Sequence, residues 1–141
     1  MVTYKPALLR IDGQIEGDSE AVILYPQEWI GKQFPLQGYI DIPIDIPTST
    51  GYTGVGKWML ILYRADCTRC EKHFVELKRR NDSGVNIVCL EIDGLSQNAL
   101  RNRFGDGKWY WGSLKSVKKW FVETPTILTI EDGSVKSVKT E

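Results

Sequence analysis

The feature that most constrains this chain is a junction. Trp58 to Tyr63 is a near-continuous apolar run, the mark of a strand covered on both faces. It leads directly into Asp66-Cys67-Thr68-Arg69-Cys70. From Cys70 the spacing turns helical, with Cys70, Phe74 and Leu77 on one face. Asn81 to Gly84 closes that helix. Val85 to Ile92, carrying Ile87, Val88, Cys89 and Leu90, reads as a second buried strand. A cysteine pair therefore sits where a buried strand hands over to a helix, inside an α/β pattern.

That position has chemical meaning. A thiol attacks only as its thiolate. The first turn of a helix favours the thiolate through unpaired backbone N–H groups and the helix dipole. Cys67 stands where that first turn should begin, and two intervening residues let Cys70 reach back to form a disulfide. Arg69 adds positive charge beside the pair, whereas Asp66 adds negative charge and opposes it. A C-x-x-C in this context reads as a redox pair. A fixed disulfide, or two unreactive thiols, is the alternative.

The chain around the junction divides unevenly. Its 141 residues suit one domain with a single core. Up to about Gly56 it is rich in turn residues and holds Pro26, Pro35, Pro43 and Pro47, which favours short strands over helices. Residues 1–56 thus read as a β-rich extension and 57–141 as the core. Ala7 to Ile11 and Ala21 to Tyr25 look like strands joined by a turn over Asp12 to Glu20. Tyr39 to Ile46 alternates apolar and acidic residues as an extended segment. In the second part, Leu95 to Phe104 is expected as a short helix. Gly105 to Gly112 reads as a glycine and aromatic loop, and Leu114 to Phe121 as a basic helix. Pro125 to Ile130, Asp132-Gly133 and Ser134 to Val138 form a strand, a hairpin turn and a strand.

Composition excludes several function classes. Lys and Arg number 18 against 18 Asp and Glu, so no net charge draws the chain to nucleic acid or an anionic membrane. Trp109, Tyr110 and Trp111 beside Lys115, Lys118 and Lys119 are better read as core plus a solvated face, or as a protein-contact surface, than as a base-stacking platform. No apolar run reaches the ~20 residues of a membrane span. Gly51 to Lys57 has the spacing of a phosphate loop, but Trp58 and a strand follow where Ser or Thr and a helix are required. Three cysteines cannot form a disulfide scaffold. Cys89, mid-strand, reads as core. The single histidine, His73, makes Cys67-x-x-Cys70-x-x-His73, but the three do not share one helix face, and His73 reads as a surface residue.

Lys57 to Cys70, Val85 to Asp93 and Thr124 to Val138 together resemble the thioredoxin superfamily. In that family a cis-proline opens the third core strand and packs against the cysteine pair. Pro125, in Glu123-Thr124-Pro125-Thr126, matches that position. The resemblance implies a thioredoxin-like α/β fold: a central mixed sheet, flanking helices and an N-terminal β extension. It implies Cys67 as nucleophile, Cys70 as resolving thiol, Thr124 as a backbone partner for bound peptide and Pro125 as the residue shaping the site. Arg69 and Asp66 flank the pair. No organic cofactor or metal is implied. Gly31 to Leu36 is similar to the lead-in of extracytoplasmic TlpA- and MauD-like modules. That likeness implies a bacterial envelope location. Asp66-Cys67-x-x-Cys70 and Trp120 to Pro125 resemble modules found as parts of larger membrane-anchored bacterial proteins, and the superfamily resemblance implies a protein thiol or disulfide as partner.

The chain departs from thioredoxin at several places. Asp66 replaces the tryptophan before the pair, and Thr-Arg replaces Gly-Pro within it. Ile61 lies near the place of thioredoxin's buried acid. The segment before Pro125 is longer, and the usual terminal helix is missing. Three functions are consistent with this pattern: a thiol–disulfide oxidoreductase, an interaction module with a structural disulfide whose contact loop is Gly105 to Gly112, and a metal carrier using Cys67, Cys70 and His73.

Overall fold

The computed structural model describes residues 6–10, 12–41, 56–64, 66–80, 86–92, 109–115 and 118–140. Its centre is β5 (Lys57–Tyr63), the expected apolar run. Alternation explains why that run is apolar throughout. Leu60 and Leu62 point into one cluster and Ile61 and Tyr63 into another, all at 0–1% exposure. Helix α1 (Thr68–Arg80) follows, then β6 (Asn86–Glu91), paired parallel to β5 from Trp58↔Asn86 to Tyr63↔Glu91. On the other side of β5 runs β9 (Thr126–Glu131), antiparallel, and β10 (Ser134–Thr140) pairs antiparallel with β9. The hairpin turn between them is Asp132-Gly133, with φ of 50° and 84°, the left-handed pair of a type I′ turn.

The six-stranded sheet runs in the order β10-β9-β5-β6-β7-β4. Strand β7 (Tyr110–Leu114) is parallel to β6, and β4 (Ile40–Asp41) closes the edge antiparallel to β7. The loop expected over Gly105 to Gly112 is therefore corrected at its end, because Tyr110 to Gly112 belong to β7. Residues 105–108 lie outside the described residues, as do 81–85, 93–104 and 42–50 with the expectations placed on them.

A second sheet, β2-β1-β3-β8, is built from β1 (Ala7–Leu9), β2 (Ile15–Glu16), β3 (Ala21–Ile23) and β8 (Lys119–Phe121). Strands β1 and β3 pair in parallel, and β2, which lies between them in sequence, turns back antiparallel to β1 on its other side. The stretch from Asp12 to Glu20 is thus more than a turn. The helix expected over Leu114 to Phe121 is also corrected: β7 ends at Leu114, and Lys119 to Phe121 pair parallel with β3. Trp120 is the reason. Its indole is 2% exposed between the sheets, while Lys119 and Phe121 on either side face out, which is period two. Its Nε1–H donates to the Lys115 carbonyl at 2.9 Å, so this indole is buried with its donor satisfied.

The two faces of the main sheet are covered differently. Helix α1 covers one face through Cys70, Phe74 and Leu77. On the other, Val22, Leu24, Trp29, Leu36 and Trp120 pack against Leu60, Leu62, Val88, Leu90, Leu128 and Ile130. The N-terminal β segment thus forms the second layer of the core.

Candidate active site

Helix α1 begins beside Cys67. The Cys67 carbonyl accepts the Glu71 N–H at 3.2 Å, the first bond of the helix, so Cys67 is its N-cap. Cys70 is then the third helical residue, and its N–H donates to Cys67 Sγ at 3.1 Å. In most helices a Ser, Thr or Asp oxygen takes that role. Here sulfur takes it, and a thiolate, being charged, accepts that bond more strongly than a neutral sulfur. The helix dipole acts in the same direction.

Cys67 and Cys70 are joined as a disulfide with their Cα atoms 5.2 Å apart, within the range a disulfide needs. The two sulfurs differ in access: Cys67 is partly exposed and Cys70 is 0% exposed. On the far side of Cys67 the Thr124–Pro125 bond is cis, and the Thr124 carbonyl oxygen lies 3.5 Å from Cys67 Sγ. Thr126, fully buried, donates its hydroxyl to the Glu123 carbonyl and closes the turn around Thr124 and Pro125. Asp66 and Arg69 are both exposed at the mouth, where solvent screens their charges. The structure brings Cys67, Cys70, Thr124 and Pro125 together and leaves Asp66 and Arg69 at the rim.

A strand–helix–strand unit with the cysteines at the helix tip, an antiparallel hairpin on its other side and a cis-proline opening that hairpin defines the architecture. The chain has a thioredoxin-like fold. No protein-family model and no curated protein sequence matches the chain. Among solved structures, it is similar to a thiol-disulfide isomerase from Corynebacterium glutamicum at 13% identity and a TM-score of 0.49, covering 72% of this chain and 82% of that one. It is similar to a thioredoxin-like protein from Aeropyrum pernix at 13% identity and a TM-score of 0.47, covering 63% and 71%. StoA from Bacillus subtilis gives 13% identity and a TM-score of 0.45, covering 75% and 90%.

Two buried polar residues, one on α1 and one on the sheet beneath it, escaped the sequence reading. His73, expected at the surface, is 7% exposed. It falls in the same i, i+3, i+4, i+7 stripe as Cys70, Phe74 and Leu77, so the helical period carried the signal. Glu91 is 1% exposed at the end of β6. Alternation from Ile87 and Cys89 puts it on the face covered by α1, opposite Tyr63 and Ser113 in register. Among the described residues no three His, Cys, Asp or Glu side chains are grouped to hold a metal ion.

The seat of α1 is aromatic. Phe74 meets Tyr63 edge-on at 5.4 Å and packs on Trp111 at 5.4 Å and Trp109 at 5.9 Å. Lys78 lies over the Trp109 ring at 4.7 Å. Trp109 and Trp111 therefore hold the helix, and the reading of this aromatic run as an exposed contact loop does not stand for them.

Cys89 is free, fully buried and part of this cluster. Burial pushes its thiol well above the ordinary value of 9.0, with Lys78 opposing. The folded state therefore holds a proton that the unfolded chain releases above pH 9.0, and stability falls as pH rises from there toward the folded value. The slope from this one group approaches about 1.4 kcal/mol per pH unit. Urea unfolding of the wild type and Cys89→Ala across this range checks it: the variant should lose stability less steeply, and parallel profiles would refute the assignment.

Proposed function

We propose that this domain is a thiol–disulfide oxidoreductase acting on a protein partner, with Cys67 as the attacking sulfur and Cys70 as the resolving one. The observation that carries this reading is the asymmetry of the pair. Cys67 is reachable from solvent and is held by the Cys70 N–H at the helix tip, whereas Cys70 is sealed beneath it. In the reducing direction the Cys67 thiolate attacks a partner disulfide. A Cys67–partner bond forms, and the partner's second sulfur leaves as thiolate. The Cys70 thiolate then attacks Cys67 Sγ, closing the internal disulfide and releasing the partner's first sulfur. Oxidation of a partner is the same path reversed.

Thr124, with its backbone beside the Cys67 sulfur, is the partner's docking edge in this reading, and Pro125 fixes that edge. Arg69 supports the thiolate and Asp66 moderates it. The reading extends to the bacterial cell envelope, an oxidising setting in which disulfides persist.

Redox titration of the Cys67/Cys70 pair tests the proposal. Reversible behaviour between about −120 and −270 mV is expected, the range of known exchange proteins. A potential well below about −300 mV would mark a fixed structural disulfide and leave a non-catalytic interaction module instead.

A further inference from the structure

Beside the cysteine site, on the face of the main sheet opposite α1, lies a groove of about 890 Å³. Strands β3 and β8 run parallel, with Ile23 opposite Phe121, so their C-terminal ends emerge together. The strand ends and the residues just after them form its apolar walls: Ile23, Tyr25, Phe121 and Val122. Tyr25 is 49% exposed and Phe121 47%, a cost that an isolated soluble domain usually avoids in large rings. Glu28 and Glu123 add two carboxylates, and among the described residues no cation lines the groove and neither carboxylate forms an ion pair. The groove also reaches the cis-proline turn that sits beside the Cys67 sulfur. Its lining residues Glu123 and Thr126 bracket Thr124 and Pro125, and the Thr124 carbonyl lies 3.5 Å from Cys67 Sγ.

We infer that this groove is the specificity site for the partner polypeptide and takes a segment with a large apolar side chain and a Lys or Arg within a few residues of the reacting cysteine. The inference rests on the exchange reading above and deepens it. In this reading a partner chain bonded through its cysteine to Cys67 passes Thr124 and Pro125 toward the groove, whose lining residues Glu123 and Thr126 flank that turn. Its walls come from the second sheet, so the specificity belongs to the β layer and not to the strand–helix–strand unit that carries the cysteines. The carboxylates select a basic neighbour and disfavour an acidic one through charge complementarity.

The test uses two synthetic peptides whose single cysteine carries 2-nitro-5-thiobenzoate. One has leucine and lysine near the cysteine, the other only glycine and serine. The Cys67 thiolate of the reduced protein attacks the peptide sulfur and forms a Cys67–peptide disulfide. The peptide–thiobenzoate bond breaks, and the electron pair leaves on the coloured thiolate; Cys70 then displaces the peptide. The leucine–lysine peptide should react about tenfold faster, the gain from burying roughly half a leucine-sized side chain. Phe121→Ser and Tyr25→Ser should each bring the ratio of the two rates toward one, and Glu123→Gln should reduce the part due to lysine. Equal rates in the wild type, or a ratio untouched by both apolar variants, would overturn the inference.

A fluorescent copy of the leucine–lysine peptide with serine for cysteine separates the two readings by anisotropy. If neither reactive peptide exchanges but this copy binds the wild type and not Phe121→Ser, the groove stands and the exchange reading falls. Binding undiminished by Phe121→Ser removes the groove. Self-association of the wild type that Phe121→Ser abolishes would assign the groove to a second copy of the chain and likewise overturn the inference.

Discussion

Cys67→Ser is expected to abolish disulfide exchange, and Cys70→Ser to arrest it halfway. A serine hydroxyl is not ionised near neutral pH and cannot replace the thiolate, so Cys67→Ser should lower the rate at least about 100-fold. Cys70 cannot substitute, because it is 0% exposed beneath the helix tip. In Cys70→Ser the Cys67 thiolate still attacks glutathione disulfide. One glutathione becomes bonded to Cys67 and the other leaves as thiolate, but no second thiol is in place to release the first. Intact mass should show one added glutathione on Cys70→Ser and none on Cys67→Ser. The reduced wild type should pass through the adduct to its internal disulfide. An adduct on Cys67→Ser at a comparable rate would reverse the assignment of the two sulfurs, and no reaction in any form would leave a structural disulfide.

The parts of this site that were legible in the sequence are those fixed by local physics. An apolar run long enough for one strand, an abrupt change of period and two cysteines at the change placed β5, the helix tip and the pair without knowledge of any distant contact. The Asp132-Gly133 turn was legible for the same reason, since few residue pairs adopt two positive φ angles. What was not legible depends on pairing across the chain. Leu114 and Phe121 with lysines between them satisfy a helical spacing. Lys119 to Phe121 nevertheless form a strand, because β3, about a hundred residues earlier, offers a partner and a dry seat for Trp120. Tyr110 to Leu114 likewise follow a glycine-rich stretch that reads as a loop, until β6 and β4 pair with them. His73 and Glu91 are a third kind of case. Periodicity put both on the covered face, but residue type argued for the surface, and burial followed the period.

Phe74→Ala is expected to cost the domain about 3–5 kcal/mol, a large share of the 5–15 kcal/mol that holds a domain together. Phe74 is 0% exposed and joins three rings, Tyr63 from β5, Trp111 from β7 and Trp109 just before it. Truncation opens a cavity between α1 and the sheet and removes ring contacts worth about 0.5–1.5 kcal/mol per pair beyond their burial. Phe74→Leu keeps apolar volume in place and should lose less. Phe121→Ala, at a ring 47% exposed, should change stability by no more than about 0.5 kcal/mol. Urea unfolding with the disulfide intact orders the three, and a Phe74→Ala loss no larger than that of Phe121→Ala would show that the aromatic seat does not hold the helix. The effect on function follows from the same geometry. Phe74 lies one turn beyond Cys70, whose N–H reaches Cys67 Sγ at 3.1 Å, so a helix that rocks on a hollow seat moves that donor away from the sulfur. Even under conditions where Phe74→Ala remains folded, its Cys67 should therefore be alkylated more slowly at neutral pH than the wild type's, because the thiolate has lost part of the bond that favours it.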